Sequence, residues 1–242
     1  MKITTHLCAI VASVAIASSA AAADLPLKAR TAQPVFAPNL SWTGFYIGIN
    51  VGAGWGTQEG VTTLSNGNVY QQSSYTTNGF MFGGQAGYNW QLAGPVVIGI
   101  EGSIAGADIS GTSMCLLRTG SGTPQTTCNS EINWVGDISG RVGFTVDRAL
   151  VYVKGGYAWA DTDQNLRLTN TTANGGSTRS GWLLGTGVEY AFMSNWSAKV
   201  EYNYIDFGSE TLSVVNSGSG STYTRDLNQT LHTVKFGVNY RL

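Results

Sequence analysis

The segment GFYIGINVGAGWG, residues 44–56, carries the pattern from which the fold is predicted. Apolar side chains occupy every second position from Phe45 to Trp55, and glycine, tyrosine and asparagine fill the positions between them. A period of two sustained over such a length is typical of a β-strand with two different faces. The same alternation recurs along the chain and predicts eight strands, at about 44–55, 79–92, 96–108, 132–146, 149–159, 181–192, 196–207 and 231–242.

The links between these strands alternate between long and short. Long polar loops are predicted at about 56–78, 109–131, 161–179 and 208–229, and short turns at 93–95, 147–148 and 193–195. Short turns on one rim and long loops on the other are typical of an outer-membrane barrel. The expected fold is therefore all-β, an eight-stranded antiparallel up-and-down transmembrane β-barrel.

Alternation alone does not say which face points outward, because a soluble lipocalin-type barrel also has eight alternating strands. The mid-strand charges favour the membrane barrel, since they are too few to coat a soluble exterior but enough to line a narrow lumen. Four acids and four bases are expected to pair there, because a buried unpaired charge is costly. All eight lie on the glycine-rich face opposite the apolar residues: Glu101, Asp137, Arg141, Lys154, Glu189, Lys199, Glu201 and Lys235.

Six tryptophans near the predicted strand ends favour the same orientation. All share the parity of the apolar face, and indole rings prefer the membrane interface. They predict two aromatic girdles, with Trp90 and Trp196 at the short-turn rim and Trp55, Trp134, Trp159 and Trp182 at the long-loop rim.

The composition suits a wall with two opposite faces. Charged residues make up 11% of the 242 residues and hydrophobic residues 43%, with a mean hydropathy of -0.00. An average soluble domain has about 25% charged residues. A net charge of -1 argues against a nucleic-acid partner, and 11% aromatic residues argue against disorder.

The N-terminus is typical of a secretory signal peptide. Lys2 precedes an apolar run over residues 7–17, which is too short to span a bilayer. We predict a signal peptide over 1–23 with cleavage between Ala23 and Asp24, a periplasmic proline-containing lead-in over 24–43, and the barrel over 44–242. The expected location is the outer membrane of a Gram-negative bacterium, with both mature termini in the periplasm.

Few residues carry reactive chemistry. In an exported loop, a disulfide between Cys115 and Cys128 is favoured over two free thiols. His232 and Asp206 share the outward parity near the long-loop rim, where such a pair resembles the sites of membrane lipid A hydrolases and surface proteases. The His-x-Ser pattern of those lipid hydrolases is absent, so His232 is expected to anchor the barrel at the interface. No enzymatic activity, cofactor or metal is expected.

Four segments carry a family resemblance: DLPLKAR (24–30), WTGFYIGINVGAGWG (42–56), INWVGDISGRVGFTVDRALVYVKGGYAWA (132–160) and WSAKVEYNYIDFG with HTVKFGVNYRL (196–208, 232–242). With them the chain resembles the alphaproteobacterial eight-stranded outer-membrane proteins of the porin-family, OmpA-like or opacity-like group. The resemblance implies recognition of the last strand by the barrel-assembly machinery. Such proteins usually end in an aromatic residue, whereas this chain ends in Leu242; Phe236, Val238 and Tyr240 keep the alternation.

The function expected from the sequence is a structural role in envelope integrity, with four loops displayed at the surface. One alternative is a surface-binding or adhesion module whose loops engage a host component or haem. The other alternative is a small-solute porin. An eight-stranded lumen is just wide enough for its side chains to fill, which favours a polar plug over a gated ion path. Outer-membrane lipid and lipopolysaccharide are the expected partners of a monomeric barrel.

Overall fold

The computed structural model describes residues 40–64, 69–116, 125–168, 171–215 and 222–242. Each strand pairs antiparallel with the next in sequence, and the last pairs with the first, so the sheet closes into a barrel. The predicted eight-stranded antiparallel barrel is confirmed. The strands are β1 (Gly44–Leu64), β2 (Val69–Gln91), β3 (Val96–Leu116), β4 (Gln125–Val146), β5 (Ala149–Leu168), β6 (Thr171–Ala191), β7 (Trp196–Val215) and β8 (Thr222–Arg241).

The predicted signal peptide, residues 1–23, lies outside the described residues together with the lead-in as far as residue 39. Within the described ranges, no helix is both long and apolar enough to cross a membrane.

The strands extend much further than the sequence pattern indicated. Most of the stretches predicted as loops at 56–78, 109–131, 161–179 and 208–229 are paired strand, and β1 and β2 stay paired as far as Thr63 and Val69, with one shift of register between Thr62 and Thr63. In these upper parts both faces are polar, so the hydrophobic alternation ends while the backbone ladder continues. The loop boundaries predicted from sequence were therefore wrong, and so was the alternation of connection lengths, since two residues separate β5 from β6 whereas four separate β6 from β7. The short-turn rim is the end of the barrel at which 92–95, 147–148 and 192–195 connect the strands.

The barrel wall has an apolar outer face and a polar inner face, which is the reverse of the arrangement in a soluble protein. Large apolar side chains point outward and are exposed, as at Phe45 (63%) and Phe80 (77%), whereas Glu101 inside the barrel is 1% exposed. On β1 the apolar band runs from Phe45 to Trp55. At about 3.3 Å per residue and a tilt of about 40°, this run spans about 25 Å, the height of a transmembrane apolar band.

Three irregularities of register lie at the height where the upper aromatic residues occur. They fall between Gly106 and Ile109, between Ile132 and Trp134, and between Asp206 and Ser209. An extra residue in one strand changes which face the following side chains occupy. As a result Ile132, which shares sequence parity with the outward residues of β4, is buried inside the barrel.

The filled lumen as candidate functional site

A charged layer fills the part of the lumen nearer the short-turn rim. We define it as the eight charged residues singled out in the sequence together with Tyr46 and Tyr152. All eight charged side chains lie inside the barrel, and each residue is at most 4% exposed.

Lys154 is the hub of the charged layer. Its Nζ lies 3.2 Å from Glu101 Oε1, 3.4 Å from Asp137 Oδ1 and 2.9 Å from Glu201 Oε1. Lys199 joins the same two glutamates, at 2.8 Å from Glu101 Oε2 and 3.4 Å from Glu201 Oε2. Buried charges are tolerated when they are paired and hydrogen-bonded, and these contacts meet that condition.

Arg141 occupies the space between two aromatic rings. Its guanidinium carbon lies 4.7 Å from the centre of the Tyr46 ring and 5.2 Å from that of Tyr152. Its Nη1 lies 3.2 Å from Glu189 Oε2 and 3.7 Å from Glu101 Oε2. A guanidinium stacks on aromatic faces better than an ammonium does, so this position is suited to arginine.

Lys235 completes the set of bases. Its Nζ lies 3.6 Å from Asp137 Oδ2 and 3.3 Å from the Ser103 hydroxyl, which itself donates to Asp137. Every base of the charged layer therefore contacts at least one carboxylate, and the four acids balance the four bases.

The charged layer repeats one motif on opposite sides of the barrel. The Tyr46 hydroxyl donates to Glu101 Oε2 at 2.9 Å, and the Tyr152 hydroxyl donates to Glu201 Oε2 at 2.8 Å. In both cases the tyrosine side chain crosses the strand that lies between it and its glutamate. The residue at the crossing point is glycine, Gly87 in one half of the barrel and Gly187 in the other. A Cβ at either glycine would overlap the tyrosine side chain, so the phenol reaches its carboxylate only because the position between them is glycine.

An apolar layer closes the lumen above the charged layer, and the sequence interpretation missed it. It lies at the height of the long-loop-rim tryptophans, since Val135 follows Trp134 in the chain and Leu183 follows Trp182. Inward parity of large apolar residues was the signal that could have revealed it. We define the layer by its buried members: Met81, Ala105, Ile109, Ile132, Val135, Ala158, Ala160, Leu183, Ile205, Phe207 and Leu231.

Further buried polar side chains line the lumen on the side of the apolar layer that faces away from the charged layer. These are Gln58, Thr77, Thr162, Arg179 and Gln229, each at most 5% exposed. The described part of the lumen thus runs from charged to apolar to polar, and side chains fill each level.

Trp42 closes the lumen at the short-turn rim. It is 2% exposed and packs with Val97, Leu150, Tyr152 and Ala191. Its backbone N–H donates to Gln91 Oε1 at 2.9 Å. The end of the lead-in predicted over 24–43 is therefore part of the barrel interior, a role that its proline-containing sequence did not indicate.

The six strand tryptophans all lie on the outer face, but the upper four are not at strand ends. Trp55, Trp90, Trp182 and Trp196 are 41–50% exposed, and Trp134 and Trp159 are half-buried. β1 continues beyond Trp55 to Leu64, and β4 begins at Gln125, well before Trp134. The barrel wall therefore rises well above the upper aromatic residues.

His232 belongs to an outer aromatic cluster and does not bond to Asp206. Its ring stacks on Trp55 with centroids 5.7 Å apart, and its Nδ1 lies 2.7 Å from the Tyr202 hydroxyl. Asp206 lies opposite Thr230 and accepts a hydrogen bond from the Gly208 N–H at 2.8 Å. The arrangement lacks the histidine–carboxylate bond of a catalytic pair.

Cys115 and Cys128 lie on paired strands, and their side chains are outside the described part of the structure. In the register, Cys115 is opposite Thr126 and Cys128 is opposite Ser113. The disulfide stays a prediction. Among the described residues, no group of three or more histidine, cysteine, aspartate or glutamate side chains could hold a metal ion.

Known proteins are similar to this chain in sequence or in fold. The family described as outer membrane protein beta-barrel domain matches residues 9–241. The 31 kDa outer-membrane immunogenic protein of Brucella melitensis is 35% identical, over 96% of this chain and 98% of that protein. The 22 kDa outer membrane protein of Rhizobium leguminosarum is 29% identical, over 84% of this chain and 80% of that protein.

Among solved structures, the outer membrane protease OmpT from Escherichia coli superposes with a TM-score of 0.56 at 8% identity. The match covers 84% of this chain and 98% of that one. At this identity the likeness concerns the fold alone.

Proposed function

The chain belongs to the outer membrane protein beta-barrel domain family, and on that premise we propose that it is a closed structural barrel of the cell envelope. The observation that carries the proposal is the apolar layer. A hydrophobic constriction excludes water and ions, because their hydration shells find no replacement there. The charged layer below it pairs every base with a carboxylate, and the apolar layer interrupts the polar lining of the lumen between the charged layer and the polar side chains beyond it.

The test is ion conduction across planar lipid bilayers. We expect purified protein to give no stable unit currents. A triple variant that opens the lumen at both ends should conduct; it combines Ile205→Ser, Leu231→Ser and Trp42→Ala. Ile205 and Leu231 are cross-strand neighbours in the apolar layer, and Trp42 closes the short-turn rim. The control, Ile205→Val with Leu231→Met, keeps the layer apolar and should stay silent. Large, stable unit currents from the unaltered protein would support the small-solute porin instead.

Surface binding is the second candidate, and the height of the barrel favours it. β1 and β5 continue beyond the upper tryptophans to Leu64 and Leu168, which carries the hairpins away from the membrane. The Brucella relative is named an immunogenic protein. Replacing the hairpin tips while the barrel still folds should abolish adhesion or ligand binding if this function is correct.

We further propose that the barrel is monomeric and has no catalytic activity. His232 is bonded to Tyr202, which supports a role as an interfacial anchor. β1 begins and β8 ends on the short-turn rim, and we assign this rim to the periplasm. The last strand would be recognised by the barrel-assembly machinery, and the outer wall would contact lipopolysaccharide. Protease accessibility of tags at either terminus in whole cells tests the orientation.

A further inference from the structure

An apolar groove opens on the lipid-facing wall near the short-turn rim. Its volume is about 400 Å³. Phe45 and Tyr88 form one wall, with their rings in edge contact at 4.5 Å, and Ala86 and Gly102 form the floor. A Cβ at Gly102 would meet only a backbone oxygen at 3.8 Å, so the floor is open space in front of the sheet.

The groove matches one acyl chain in length. Its lining residues Ile47, Ala86, Gly102 and Ile138 are register partners on four adjacent strands, so the groove runs across the strands. Three interstrand spacings of about 4.8 Å give it a length of about 14 Å. Half of a hydrocarbon core of about 30 Å is about 15 Å, so the groove accommodates most of one chain of a single leaflet.

A polar pocket of about 240 Å³ lies on the same rim, and it contains Arg241. Arg241 is 9% exposed, and its guanidinium carbon lies 5.0 Å from the centre of the Trp42 ring. Its Nη1 donates to the Ser41 carbonyl and its Nη2 donates to the Ser194 carbonyl at 3.0 Å. Among the described residues, no carboxylate lies within 4.0 Å of this buried guanidinium.

The pocket offers several donors to an anion. A guanidinium has five N–H groups, and only two take part in the bonds to the two carbonyls. The hydroxyls of Ser41, Thr43 and Ser194 also belong to residues that line the pocket. Glu189 acts on Arg241 only from beyond 4.0 Å, so a guanidinium with free N–H groups among hydroxyl donors is left to complement a phosphate group.

Leu242 lines both the groove and the pocket and thereby connects them. Its backbone N–H donates to the Phe45 carbonyl at 2.9 Å, which fixes its position against β1. We propose that the groove and the pocket form one site for a glycerophospholipid, with the phosphate beside Arg241 and one acyl chain in the groove. The assignment of this lipid to the periplasmic leaflet rests on the proposed orientation; the binding itself does not.

Native mass spectrometry of the folded protein in detergent micelles, titrated with dioleoyl phosphatidylglycerol, tests the site. We expect one retained phospholipid. Gly102→Leu should fill the groove and weaken retention about tenfold, since it removes the space for the chain. The matched control is Gly106→Leu on the same strand, where a Cβ also meets only a backbone oxygen, at 3.9 Å, but which does not line the groove. Retention by the control should equal that of the unaltered protein.

The headgroup is tested with Arg241. Arg241→Gln should lower retention of the phospholipid about tenfold through the loss of a charge-assisted contact, and Arg241→Lys should restore part of it. Dioleoylglycerol, which lacks the phosphate, should bind weakly to every variant. Inorganic phosphate should compete only if the pocket binds phosphate independently of the chain, a result that would reduce the proposal to an anion site and overturn the lipid assignment.

Folding is followed for each variant by heat-modifiable gel migration, and only variants that fold are compared. The proposal is overturned if Gly102→Leu and Gly106→Leu retain phospholipid equally, or if dioleoylglycerol binds as tightly as phosphatidylglycerol. Neither result depends on which leaflet the short-turn rim faces, so a failure of the proposed orientation is distinguishable from a failure of the site.

Discussion

The charged layer and the apolar layer fill the same lumen by opposite means. In the charged layer, Lys154 alone contacts three carboxylates, and each contact requires its partner to be present. In the apolar layer, Leu231 and Ile205 need only neighbours of suitable size. The charged layer therefore makes the interior specific, whereas the apolar layer makes it impermeable.

The largest expected effect comes from breaking the charged layer at Glu101. This carboxylate contacts Arg141, Lys154 and Lys199, so Glu101→Gln leaves three buried cations with fewer partners. Removing one partner of a buried ion pair destabilises by 3–5 kcal/mol in general, and we expect about 4 kcal/mol here. Urea unfolding of the protein in lipid vesicles, followed by tryptophan fluorescence, measures the free energy of unfolding.

The control is Glu59→Gln, because Glu59 is an exposed residue of β1 beyond Trp55. Surface substitutions usually change stability by less than about 0.5 kcal/mol. If Glu101→Gln and Glu59→Gln had similar effects, the charged layer would be filler and the contrast with the apolar layer would disappear.

A smaller loss of stability is expected from a cavity in the apolar layer. Leu231 is fully buried inside the lumen, and Leu184 is 57% exposed on the lipid-facing wall. Leu231→Ala should lose the transfer free energy and also leave a void, at about 3 kcal/mol in total. Leu184→Ala should lose only the transfer free energy, about 1.5 kcal/mol, because lipid chains fill the space.

The same urea unfolding experiment in vesicles measures both leucine variants. The difference between them is the cavity contribution of the lumen. Equal losses would mean that water or neighbouring side chains fill the space at Leu231, and the apolar layer would then be too loose to exclude ions.

The two layers also differ in how far the sequence reveals them. The charged residues were found because a charge inside an apolar alternation has a parity that can be counted directly, as at Glu101 and Lys235. The apolar layer is harder to recognise, because parity alone distinguishes an inward leucine or isoleucine from a lipid-facing one. At Ile132 counting fails altogether, since the irregularity before Trp134 moves its side chain to the other face.

Parity predicts the face on which a side chain lies, but only the register between strands shows which side chains meet. The contact of Tyr46 with Glu101 spans three strands, and nothing in either segment alone indicates it. The upper parts of the strands could not be predicted for a related reason. The first residues of β2, from Val69 onward, are mostly polar on both faces, but their backbone groups still pair with β1. Fold and orientation follow from local alternation, whereas lumen contacts and barrel height follow from partners distant in sequence.

The smallest expected effect tests whether the two halves of the charged layer are equivalent. Tyr46→Phe and Tyr152→Phe each remove one hydroxyl that donates to a buried glutamate, Glu101 or Glu201. Hydrogen bonds to charged groups contribute about 1.5–3 kcal/mol, and both glutamates keep lysine partners, so we expect about 1.5 kcal/mol for each variant. Because Lys199 contacts both glutamates, the double variant should deviate from additivity when all three proteins are unfolded in urea. Additive but unequal losses would show that the repeated geometry conceals two independent sites.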